Sequence, residues 1–141
     1  MEVSINFMAV GLAVLVNFII GWLWYGPIFG KPWAAEMGMD MSKKPEAGVM
    51  AKGMIFMVIG NFLMAYVLAN NIFAWGQVDG MANNPTIMRA VMTAFFTWLG
   101  FYVPTHLGAT VWEEKSWKLT GINLSFHFVT LFVAAFIILS M

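Results

Sequence analysis

Between Ile5 and Tyr25 the chain carries no charged residue over 21 consecutive positions. At 1.5 Å per residue that is roughly 30 Å of helix rise, the thickness of a bilayer's hydrocarbon core. Three further stretches have the same character. Val49 to Trp75 holds Lys52 as its one charge, near an end where a lysine can snorkel; Thr86 to Trp112 holds only Arg89; Ile122 to Met141 holds none. In lipid a backbone must satisfy its own polar groups, so apolar stretches of this length fold as helices. The composition agrees, since 61% hydrophobic and 10% charged residues are more apolar surface than a soluble fold of this size could hide. The expected fold is therefore all-α: a single domain over residues 1–141, an integral membrane bundle of four transmembrane helices at about 5–25, 49–75, 86–112 and 122–141.

The ends of these helices are marked by aromatic residues. Gly21 to Trp33 reads G-W-L-W-Y-G-P-I-F-G-K-P-W, an apolar run that meets Trp22, Trp24, Tyr25 and Trp33, breaks at Gly26-Pro27 and gains a cation at Lys31. Amphipathic rings settle at headgroup depth, and Trp112 and Trp117 have the same place around the third connection. Pro32 suits the first turn of a short helix lying in the interface, with Trp33 and Met37 on one face. Gly76 to Pro85 is dense in turn formers and makes a short polar connection. Lys31, Lys43, Lys44, Lys52, Lys115 and Lys118 follow the first and third helices, against Arg89 alone at the other side. The positive-inside rule then puts both termini outside the cytoplasm. Glu2 in place of a basic start, with no small-residue cleavage site after the first run, predicts a retained helix and no signal peptide.

Several functions are excluded. A formal net charge of zero leaves no footprint for nucleic acid, and the absence of cysteine removes thiolate metal sites and cysteine nucleophiles. No membrane stretch holds a carboxylate, which disfavours an intramembrane proton relay. No acid, base and nucleophile converge, so the expectation is no enzyme, no cofactor and no metal; two histidines without a third ligand make a poor metal site.

What polarity the membrane holds is arranged in stripes. Asn6, Ala9, Ala13, Asn17 and Gly21 recur along helix one, Asn61, Ala65 and Ala69 along helix two, Thr93, Thr97, Gly100, Pro104 and Gly108 along helix three, and Asn123, His127, Thr130 and Ala134 along helix four. Small residues let helices approach, and amides can bond across them. Asn17 and Asn61 lie at matched depth and are expected to pair. Asn123 and His127 are expected to face protein, because an unpaired amide or imidazole is costly in hydrocarbon. His106 points opposite the Thr93–Thr97 stripe in an ideal helix, away from His127, unless Pro104, which should kink the helix, re-aims it.

W-Y-G-P-x-F-G-K-x-W, from Trp24 to Trp33, and E-x-K-S-W-x-L-x-x-I-N, around Glu114 to Asn123, resemble a bacterial four-helix membrane family known as the domain of unknown function seventeen-sixty-one. The resemblance implies the four-helix fold and a bacterial inner membrane, and it carries no catalytic residue. An internal echo joins Trp22–Pro27, W-L-W-Y-G-P, to Trp98–Pro104, W-L-G-F-Y-V-P, as two duplicated hairpins would. Two function classes fit: an interaction or accessory subunit of a homo-oligomer or larger membrane complex, and a small channel or carrier formed by oligomerisation around Asn17, Asn61, Asn123 and His127. The missing intramembrane charge favours the first.

Overall fold

The computed structural model describes residues 2–141, and among them all regular structure is helical. Four helices are long and apolar enough to cross a membrane: α1 (Phe7–Ile28), α3 (Ala47–Gly76), α4 (Thr86–Trp112) and α5 (Trp117–Ser140). Between the first two lies the short α2 (Gly30–Glu36).

Local chemistry sets the ends. Asn6 caps α1, its Oδ1 accepting from the amides of Met8 and Ala9 at 3.1 and 3.2 Å, so the helix begins at Phe7 rather than at Ile5. Ser116 caps α5 by accepting from the Leu119 amide at 3.1 Å. That cap starts the last helix at Trp117, more than a turn ahead of the expected Ile122. α2 closes on Gly38, at φ +68°, with the Met39 amide donating back to the Ala34 carbonyl at 2.9 Å, the pattern that satisfies a helix's last carbonyls. α4 closes in the same way, with Lys115 N donating to the Thr110 carbonyl at 3.1 Å, but its left-handed residue is Glu114, at φ +53°.

Gly26-Pro27 does not break the first helix as the sequence suggests. Trp24–Ile28 forms one π-helical turn, in which the Phe29 amide donates to the Trp24 carbonyl, five residues back, at 2.8 Å. The wider turn absorbs the amide that proline lacks, and the helix runs on to Ile28. It also brings the Tyr25 carbonyl against Gly30, where a Cβ would sit 2.8 Å from that oxygen. Only glycine fits there. Pro104 is preceded by a second π turn, Trp98–Tyr102, closed by Val103 N on the Trp98 carbonyl.

α5 is the centre of the bundle, packing most extensively on α4 and α1 and also on α3. The core is made largely of alanine: Ala13 of α1, Ala65 and Ala69 of α3, Ala90 and Ala94 of α4, and Ala134 and Ala135 of α5, closed by Val10, Leu68, Ile72 and Leu131. Such small residues let the helix backbones approach, which is how helices associate where lipid offers no hydrophobic contrast. The stripes of α1 and α5 are thus packing faces. On α4 the packing face is Ala90 and Ala94, while Thr93 and Thr97 are only half-buried and Gly100 and Pro104 exposed. Gly53 and Gly60 of α3 face open space. The large exposed apolar side chains, such as Phe56, Phe96 and Phe101, clothe the outside as a lipid-facing surface requires.

Candidate functional site

One π turn lies at the end of the bundle that carries the lysine-bearing loops and the other midway along α4, and both meet α5. Each begins with a tryptophan, and each tryptophan sends its indole N–H to a carbonyl of that helix: Trp24 Nε1 to Ile122 O at 3.2 Å and Trp98 Nε1 to Leu124 O at 2.8 Å. A helix carbonyl has a second lone pair beyond its ladder bond, so it can accept the indole without losing its own partner. Beside Trp24, the Tyr25 hydroxyl donates to Asn123 Oδ1 at 2.8 Å. The edge of Trp33 lies on Tyr25, with centroids 5.3 Å apart, and Tyr25 in turn lies edge-on to Phe126 at 4.9 Å.

The second π turn sets the histidines. His127 lies between Tyr102, at a centroid distance of 4.6 Å, and His106, at 4.9 Å. His106 therefore faces His127, contrary to its phase in an ideal helix. A π turn takes one residue more than an α turn and rotates everything after it by roughly 100°. His106 Nδ1 lies 2.9 Å from the Tyr102 carbonyl, which can only accept, so Nδ1 carries a proton in this contact. Among the described residues no group of three His, Cys, Asp or Glu is placed to hold a metal. Below the histidines, the Thr110 and Thr120 hydroxyls bond to each other across the α4–α5 turn.

Deeper in the membrane Asn17 is fully buried, and its Nδ2 donates to the Thr130 carbonyl of α5 at 3.2 Å. The expected bond to Asn61 does not form. Asn61 turns its amide to its own helix, donating to Met57 O at 3.0 Å, because α1 meets α5 at this depth through the same alanine face that holds Asn17. Asn17 Oδ1 has no hydrogen-bond partner among the described residues.

Trp22, Trp112 and Trp117 lie exposed on the outside of the bundle, whereas Trp24, Tyr25 and Trp33 are half-buried and turned to α5 and to one another. The two stretches that carry the family resemblance thus meet in space, Trp24 on Ile122 and Tyr25 on Asn123. The family described as "Protein of unknown function (DUF1761)" matches the chain over residues 8–139. The chain belongs to that family. No curated protein matches the chain, and no solved structure does.

For this DUF1761 protein, sequence reasoning missed Trp98 and Tyr102 as members of the site, although the repeated Trp-to-Pro pattern was their signal. The echo reaches the backbone, since both copies fold as a π turn opening on tryptophan. Both indoles nevertheless end on α5, whereas a two-fold relation between hairpins would send the Trp98 indole to α3.

Proposed function

We propose that this DUF1761 protein is a non-catalytic subunit of the bacterial inner membrane that acts by packing against other membrane protein, in a homo-oligomer or a larger complex. One observation supports the reading. Three of the four polar groups that a channel or carrier would set around a wet path are hydrogen-bonded inside the bundle, Asn123 to Tyr25, Asn17 to Thr130 and Asn61 to Met57, and the fourth, His127, is packed between the rings of Tyr102 and His106. Bonds of the first two kinds join helices and hold them in register, and among these groups Asn17 Oδ1 is the buried one without a partner among the described residues. α3 then offers the docking face, since it packs on α1 and α5 along Ala65, Leu68, Ala69 and Ile72 and leaves Ile55, Phe56, Ile59 and Leu63 outward. The lysine count orients the bundle with both termini outside the cytoplasm.

The test is photo-crosslinking in intact membranes from Phe56 or Ile59, followed by native mass spectrometry of mildly solubilised complexes. The expected product is a covalent adduct to a second protein chain. Crosslinks to lipid alone, with a monomer in the native spectrum, would refute the proposal. A reporter that is active only in the cytoplasm, fused after Met141 and found active, would refute the orientation.

A further inference from the structure

α3 and α4 both lean on α5 rather than on each other, and at the lysine-poor end they leave a cavity of about 380 Å³ between them. Its apolar walls include Ile72 and Trp75 from α3, Met92 and Phe96 from α4, and Leu139 of α5 at its back. Trp75 and Phe96 are well exposed, at 60% and 62%, so the slot opens sideways toward the surrounding lipid.

Of the cavity's polar side chains, Asn84 donates to the Gly80 and Met81 carbonyls of its own turn, and the others differ from the rest of the chain. Thr105 and Thr130 each donate a hydroxyl to a carbonyl of the preceding helical turn, the usual way for a hydroxyl to be satisfied in a membrane helix, and Thr110 and Thr120 are satisfied between such a carbonyl and each other. Thr93 and Thr97, which line the cavity, form no side-chain hydrogen bond among the described residues, and neither does Asn71 beside them. Arg89 enters the same space, its guanidinium 3.7 Å from where a Cβ on Gly76 would lie. The one ion pair among the described residues is Lys115 with Glu113, so Arg89 has no carboxylate partner, and no acid lines the cavity.

A guanidinium at the mouth and two hydroxyls along a slot whose deeper end, at Thr97, lies roughly 12 Å of helix rise further in match one class of ligand. We propose that this groove binds a phospholipid of net negative headgroup, its phosphate on Arg89 and an acyl chain along Met92, Phe96 and Leu139. Arg forms paired N–H bonds to phosphate oxygens. A zwitterionic headgroup would bring an ammonium into a cavity that has a cation and no carboxylate to receive it, so an anionic lipid is preferred. The inference is independent of whether the outward face of α3 docks another protein.

The full chain is reconstituted in nanodiscs of equal phosphatidylglycerol and phosphatidylethanolamine, and the lipid retained on release into the gas phase is identified by native mass spectrometry. The expected result is one retained phosphatidylglycerol, preferred over phosphatidylethanolamine by about fivefold, the value of one basic side chain at a lipid surface. Arg89→Gln should abolish the preference, and Arg89→Lys should keep most of it. Should Arg89→Gln fail to fold, Leu139→Trp, which fills the slot and spares the cation, is expected to lose the retained lipid. Equal retention of both lipids by the native protein, unchanged preference in Arg89→Gln, or a second copy of the chain held in place of lipid would each overturn the proposal.

Discussion

Gly30→Ala probes the π turn on which the site depends. An added Cβ at this buried glycine would lie 2.8 Å from the Tyr25 carbonyl oxygen and 3.3 Å from its carbon. Those are backbone atoms. They cannot swing aside as a side chain would, and the neighbouring Phe29-to-Trp24 bond, 2.8 Å long, ties the same turn. Forcing an extra methyl into such packing costs about 1–3 kcal/mol. Exchanging glycine for alanine in a helix returns at most about 1 kcal/mol. Gly11→Ala is the control, because a Cβ there meets nothing within 4 Å and only the favourable part remains. The expected result is Gly30→Ala less stable than Gly11→Ala by about 1–3 kcal/mol, measured by unfolding in mixed micelles. Relief of the clash must move the Tyr25 carbonyl and with it the ring that donates to Asn123 at 2.8 Å. Tyr25→Phe should therefore cost less in the Gly30→Ala background than alone, a coupling that a double-mutant cycle reads directly. If Gly30→Ala equals Gly11→Ala in stability and leaves the cost of Tyr25→Phe unchanged, the argument from the π turn is wrong.

Ser116→Ala removes the α5 cap and should cost about 1 kcal/mol in the same unfolding assay. Glu114→Gly should stabilise by about 1 kcal/mol, since Glu114 holds φ +53°, which only glycine adopts without strain. Asn17→Ala, losing a buried bond and leaving a void, should destabilise by about 1–3 kcal/mol, and Asn61→Ala by less than about 0.5 kcal/mol, because the latter amide bonds only within its own helix. In the loop after α2, the Ser42 hydroxyl and amide donate to Asp40 Oδ1 at 2.6 and 2.9 Å, and these bonds hold its carboxyl below the usual carboxylate range. The folded value being depressed, the turn's stabilisation is present above the ordinary carboxylate value of about 3.9 and is lost as the pH falls through the depressed one. Faster Ser42 amide exchange, corrected for the intrinsic pH effect, should appear only on that acid side.

The four spans, their polar connections and the whole-chain membrane fold follow from the sequence alone. Whether a stretch enters lipid is a sum over its own residues, and 21 uncharged positions from Ile5 settle that sum without reference to any neighbour. Helix ends were less legible where a side chain decided them: Asn6 and Ser116 are caps, and a cap shifts a boundary by a turn. The tertiary structure alone decided which polar groups meet. Partner choice depends on helix phase, and phase is not local in this chain. The π turn at Trp98–Tyr102 sets every later residue of α4 back by about 100°, which carries His106 onto His127 from the far side of an ideal helix. The turn at Trp24–Ile28 likewise lets α1 continue past Pro27, and Trp24 and Tyr25 reach Ile122 and Asn123. Asn17 and Asn61 have matched depths in the sequence, but depth says nothing of direction, and only the packing of α1 on α5 gave Asn17 the Thr130 carbonyl as its partner.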